Sequence, residues 1–123
     1  MAATEIAIGD VSGKGIAAAL LMASLQASLR GQTMAGLHDL SALMCNVNRL
    51  VYEASTSNRY ATFFYGEYDS VSRRLTFVNA GHNPPIILRG PEVIRLEAGG
   101  PVIRLLPGGP SEAMRLSWSM AIF

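Results

Sequence analysis

The run Ile6-Ala7-Ile8-Gly9-Asp10-Val11-Ser12-Gly13-Lys14-Gly15 constrains this chain more than any other stretch. An apolar, β-leaning segment ends at a carboxylate, glycines at 9, 13 and 15 surround it, and a long apolar run begins at Ile16. In this order a sheet edge delivers a metal ligand or a phosphate-binding loop to the mouth of a site. The chain has only three aspartates, Asp10, Asp39 and Asp69, and the last two have local explanations given below. The residues therefore point to half of an active site rather than a whole one.

Composition narrows the class. At 123 residues the chain is one domain or part of one, and with 50% hydrophobic residues it has ample material for a core. The formal net charge is +1, the arginines are scattered, and Arg73 and Arg74 form the only adjacent pair. A nucleic-acid surface is not indicated. Cys45 is the single cysteine, which excludes an intrachain disulfide. It falls on the apolar side of a helix, where a small buried hydrophobe is a better reading than a reactive thiol. The longest apolar run, residues 16–23, is far short of the ~20 residues of a membrane span. No signal-type segment opens the chain, so the expected setting is cytoplasmic and off the membrane.

Residues 4–8 read as a strand entering the 9–15 loop. Residues 16–30 read as a helix, apolar nearly all round, with its first half buried and Leu20, Leu21 and Leu25 packed on the sheet; Gly31 is placed to close it. Asp39 is a suitable N-cap for a second helix, in which Leu40, Leu43, Met44, Val47, Leu50 and Val51 keep the spacing of one buried face up to Ala54. A polar turn follows at residues 55–58. Residues 60–68 are dense in aromatics and read as a strand, residues 69–73 as a hairpin turn and residues 75–79 as the return strand. A loop at 80–85 leads to strands at 86–88 and 93–96. Gly-Gly-Pro turns bracket residues 102–106, and residues 113–123 are apolar without a clear period. Two helices followed by an antiparallel meander give an α+β fold with helices on one face. The other sheet face needs a cover that the chain does not offer.

Several chemistries can be weighed at the glycine loop. A Walker A loop fails because three residues, not four, separate Gly9 from Gly13, and Gly15 stands where a hydroxyl residue is needed. The dinucleotide fingerprint cannot be laid over these glycines either. Asp10 has the hard oxygen that Mg²⁺ or Mn²⁺ takes; equally, it could cap the next helix or turn the loop. His82, in Asn79-Ala80-Gly81-His82-Asn83-Pro84-Pro85, could be a ligand, a general acid or a structural hydrogen-bonder, and the turn-forming company favours the last. Lys14 could pair with Asp10, meet a phosphate or stay solvated. His38 carries no signal.

The loop with Ala18-Ala19-Leu20-Leu21-Met22-Ala23 resembles the bacterial metal-dependent PP2C-type phosphatases of the SpoIIE and RsbU kind. So do Tyr60-Ala61-Thr62-Phe63-Phe64-Tyr65-Gly66, Leu75-Thr76-Phe77-Val78-Asn79-Ala80-Gly81-His82-Asn83-Pro84-Pro85 and Gly99-Gly100-Pro101-Val102-Ile103, in the same order. Together they cover residues 4 to about 107. The resemblance implies an α-β-β-α sandwich of two antiparallel sheets with helices outside, and hydrolysis of phosphoserine or phosphothreonine on proteins. It implies a pair of Mn²⁺ or Mg²⁺ ions activating a water for in-line attack on phosphorus. Asp10 would bridge the two metals and the Val11 carbonyl would be a further ligand.

The chain also departs from that pattern. The family's upstream Gly-Gly-Asp motif and its downstream Asp-Gly motif and final aspartate are missing, Arg104 stands where glycine is usual, and residues 117–123 do not resemble the family. Residues 1–123 thus read as a partial PP2C-type domain, incomplete at both ends, expected to be inactive alone. The parent activity would act on a phosphorylated regulatory protein, such as an anti-sigma-factor antagonist, under an upstream sensor domain. Exposed sheet edges would favour self-association. The alternative is a catalytically dead interaction module of the same fold.

Overall fold

The computed structural model describes residues 3–36, 39–54, 59–97, 99–100 and 118–121. The chain runs β1 (Ala3–Val11), α1 (Ile16–Met34), α2 (Leu40–Ala54), β2 (Ala61–Asp69), β3 (Arg74–Ala80), β4 (Ile86–Arg89), β5 (Glu92–Arg95), β6 (Gly99–Gly100) and β7 (Trp118–Ala121). This is the expected α+β class. The main sheet has β2 between β1 and β3, both antiparallel to it. The far edge of β3 is shared: β6 pairs in parallel with Asn79 and Ala80, and β7 pairs antiparallel with residues 74–77.

Residues directly opposite in an antiparallel pair send their side chains to the same face. The register therefore sorts the sheet. Ala61, Phe63, Tyr65, Val78 and Ala80 lie on one face and are buried with Leu21 and Leu25 of α1 and Leu40, Leu43, Met44, Val47 and Val51 of α2. Asp10, Thr62, Phe64, Phe77 and Asn79 lie on the other face. There a smaller core joins Phe64, Leu75, Phe77 and Leu96, with the Phe64 and Phe77 rings stacked at 5.6 Å.

The hairpin turn at residues 69–73 forms as expected. Asp69 Oδ1 accepts the main-chain N–H of Val71 at 2.9 Å and of Ser72 at 3.3 Å. Asp39 caps α2 in the same manner, accepting from Ser41 at 3.0 Å and Ala42 at 3.2 Å.

Several expectations are corrected. Gly31 does not close α1; it lies inside the helix, which continues to Met34, and Gly36 takes the left-handed position at φ 75°. Leu20 is not buried. The helix packs along one stripe, Ala18, Leu21 and Leu25, and Leu20 falls off it with 63% of its surface exposed. Leu50 and Cys45 are likewise not core residues of α2, being exposed and half-buried. The meander also stops at β3. Instead of extending the sheet, β4 and β5 pair as a separate two-stranded hairpin. With Leu96 and Ile87 that segment covers part of the second face, so the face is not left without any cover. Ile6 and Ile8 on the same face remain 41% and 44% exposed.

The expectations for residues 55–58 and 102–106, and those for Arg104 and His38, lie outside the described residues. No helix among the described residues is long and apolar enough to cross a membrane.

Candidate functional site

Asp10 is the penultimate residue of β1, paired with Thr62, and its side chain is exposed on the face opposite the helices. The strand therefore runs three residues beyond the expected 4–8, to Val11, and carries Asp10 within its own hydrogen-bonded frame. The N-cap position of α1 falls on Gly15, not on Asp10. Sheet pairing fixes the main chain at Asp10, and its carboxylate head stands in solvent.

The glycine loop is clamped to the start of β2. Ser12 N–H donates to the Tyr60 carbonyl at 2.8 Å, and Tyr60 N–H donates to Ser12 Oγ at 3.0 Å. Arg59 Nη1 donates to the Ser12 carbonyl at 2.9 Å. Gly13 sits at φ 86°, and a Cβ there would run into the Arg59 guanidinium. The glycine is needed both for its dihedral and for the close approach of that cation. Lys14 is exposed.

The 79–85 loop comes to the same end of the sheet. Phe63 and Gly81 form an isolated parallel bridge, with Gly81 at φ 70°. His82 Nδ1 lies 2.8 Å from Thr62 Oγ1, and that hydroxyl lies 3.5 Å from the main-chain oxygen of Asp10. Asn79 is buried and holds the loop in shape. Its Oδ1 accepts the His82 N–H at 2.8 Å, and its Nδ2 donates to the carbonyls of His82 at 3.0 Å and Leu96 at 3.2 Å. The three segments singled out in the sequence, the glycine loop, the start of β2 and the Asn79–His82 turn, thus meet around Asp10.

Thr62, Asn79 and Arg59 carry this arrangement without having been named as site residues. Thr62 had a signal: a polar residue inside a dense aromatic strand. Asn79 had the turn-forming company of glycine and proline. Nothing in the sequence marked Arg59 as the clamp on Ser12.

A hard divalent cation suits the oxygen chemistry of Asp10, but the described residues do not complete a site for one. Asp39 and Asp69 are held by their own turns, and no group of three or more His, Cys, Asp or Glu among the described residues is placed to hold a metal ion. A centre at Asp10 needs ligands beyond the described residues.

The sequence model of the family described as stage II sporulation protein E (SpoIIE) matches residues 2–119. The chain is 37% identical over 80 residues to the phosphoserine phosphatase RsbU of Bacillus subtilis (strain 168), covering 65% of this chain and 24% of RsbU. It is 32% identical over 84 residues to the phosphoserine phosphatase RsbP of the same organism, covering 66% of this chain and 21% of RsbP. Among solved structures, that of the RsbU and RsbW domains of Rv1364c from Mycobacterium tuberculosis superimposes with a TM-score of 0.76 at 27% identity, covering 98% of this chain and 33% of that one. The chain spans about a fifth to a quarter of the length of the curated relatives it matches. The family match over nearly every residue and the shared fold agree with the meeting of the glycine loop and the Asn79–His82 turn, and the chain belongs to the SpoIIE family of PP2C-type protein phosphatases.

Proposed function

We propose that this chain contributes the Asp10 carboxylate and the Val11 carbonyl to the metal centre of a phosphoprotein phosphatase acting on a phosphorylated regulatory protein. The observation that carries the reading is the exposed carboxylate of Asp10, fixed by strand pairing to Thr62 at the sheet end where the His82 turn docks. The relatives RsbU and RsbP support it, being phosphoserine phosphatases by name. Bound Mn²⁺ or Mg²⁺ would supply an acidified water and neutralise phosphate charge. The chain's own residues do the rest: β1 and β2 fix the Asp10 main chain, and the Ser12–Tyr60–Arg59 clamp holds the loop behind it.

The same geometry argues that the 123-residue polypeptide alone turns over little substrate. Among the described residues the candidate ligands are one carboxylate and one carbonyl, which offset too little of the repulsion between two doubly charged ions, and Mg²⁺ takes ~6 oxygen ligands. A second reading, an inactive interaction module, rests on the same scarcity of ligands among the described residues.

A chimera separates the two. In it, this chain replaces the aligned segment of RsbU, whose remaining residues supply whatever ligands lie outside the segment. The proposal expects Mn²⁺-dependent hydrolysis of a phosphoserine peptide, lost with Asp10→Asn. A folded chimera whose hydrolysis is unaffected by Asp10→Asn contradicts it. A folded but inactive chimera counts against the catalytic reading and in favour of an inactive module.

A further inference from the structure

We propose that His82 and Thr62 are positioning residues for Asp10, joined in a directed hydrogen-bond chain that holds the imidazole in its Nδ1–H form. The proposal deepens the reading of Asp10 and Val11 as ligands, and its hydrogen-bond chain stands independently of any metal.

Asp10 and Thr62 are register partners, so their side chains leave the same face of the sheet. The Thr62 hydroxyl touches two groups, His82 Nδ1 at 2.8 Å and the Asp10 main-chain oxygen at 3.5 Å. A hydroxyl has one proton to donate and can accept from others. The Asp10 carbonyl can only accept. If Thr62 gave its proton to His82, its hydroxyl would have none left for the Asp10 carbonyl. Both contacts are satisfied only when His82 Nδ1–H donates to Thr62 Oγ1 and Thr62 Oγ1–H donates to Asp10 C=O. The second contact is long, so it tightens or loosens with the position of the imidazole.

That position is set from behind. The His82 main-chain N–H and C=O are both bonded to the side chain of Asn79, which is buried and tied also to the Leu96 carbonyl. The turn is therefore fixed to β3 and to the end of β5 before the imidazole meets Thr62. The result is a brace on the peptide between Asp10 and Val11, whose plane sets the direction of the Asp10 side chain and of the carbonyl that follows. Supporting hydrogen bonds of this kind orient the groups that face a metal. The chain also leaves His82 Nε2 with its lone pair uncommitted to Thr62.

Long-range ¹H–¹⁵N correlation spectra of the full chain at about pH 8.5, above the ordinary imidazole range, report which ring nitrogen carries the proton. The proposal expects protonated Nδ1 in the wild type and in Thr62→Ser, and a shift to the Nε2–H form in Thr62→Val. It also expects the Asp10 carbonyl ¹³C signal to move upfield in Thr62→Val and to return in Thr62→Ser. An Nε2–H imidazole in the wild type overturns it without need of any variant, as do tautomer and carbonyl signals that Thr62→Val leaves unmoved. In Mn²⁺ titrations, Thr62→Val should raise the concentration that broadens the amide signals of residues 9–12 by about tenfold, with Thr62→Ser restoring it. An unchanged concentration overturns the positioning role. Wild-type signals that never broaden sink the metal reading instead, and the tautomer and carbonyl signals then decide the hydrogen-bond chain alone.

Discussion

Arg59 Nη1 donates to the main-chain carbonyl of Ser12 at 2.9 Å, tying the glycine loop to the entry of β2 across 47 residues of sequence. The guanidinium reaches that carbonyl over the space where Gly13 has no side chain. Gly13→Ala therefore introduces two faults, an unfavourable dihedral and a displaced Arg59. We expect a loss of about 1–3 kcal/mol in urea unfolding. In an Arg59→Ala background the same substitution should cost less, because the obstruction is gone and only the dihedral strain remains. Equal costs in both backgrounds would remove Arg59 from the account.

The helix stripe makes a paired prediction. Leu21 and Leu25 are 2% and 0% exposed, while Leu20 is 63% exposed. Leu21→Ala should destabilise by about 2–5 kcal/mol. Leu20→Ala should change stability by less than about 0.5 kcal/mol. Chemical denaturation of the two variants checks the stripe directly, and the reverse order would mean that α1 is rotated about its axis.

Asp69 gives a pH-dependent contribution of defined sign. The main-chain N–H of Val71, with Ser72 next, holds its carboxyl below the usual carboxylate range. A depressed folded value means that the bonds stabilise the protein above the unfolded value, and that this contribution is lost as pH falls through the folded one. The wild type should therefore lose stability below roughly pH 4 faster than Asp69→Asn does. Parallel acid limbs in urea midpoints at neutral and acid pH would show that the turn carboxylate contributes nothing.

Among the described residues β1 pairs with β2 alone, and Ile6 and Ile8 stand exposed on the face opposite the helices. An open, apolar edge strand invites pairing with another chain. We expect concentration-dependent association in sedimentation, reduced by Ile8→Lys. A monomer at every concentration would contradict this.

Much of this was legible in the residues because local chemistry decided it. Asp39 and Asp69 sit at cap and turn as their spacing implies, since a short carboxylate next to free N–H groups has an immediate partner. The strand–glycine loop–helix order at Asp10 also needed only local signals. What was not legible depends on tertiary packing. Gly31 reads as a helix stop, but the turn that closes α1 comes at Gly36. Leu20 reads as core because composition marks an apolar helix without saying which stripe meets a neighbour. The hairpin of β4 and β5 reads as two more sheet strands, because short strands with tight turns look alike whether or not they join the same sheet. Thr62 and Arg59 act across 20 and 47 residues of sequence, and no spacing rule connects such positions.

The central claim is that the Asp10 carboxylate is one ligand of a divalent cation, and site-resolved Mn²⁺ titration by NMR tests it most directly. Paramagnetic broadening falls off steeply with distance, so each carboxylate reports on its own surroundings. Amide signals of residues 9–12 should broaden at lower Mn²⁺ than those around Asp39 and Asp69, whose carboxylates are already bonded to their own main chain. Asp10→Asn should abolish that early broadening and leave the fold and the other two regions unchanged. Equal broadening around all three aspartates, or early broadening that survives Asp10→Asn, would contradict the account.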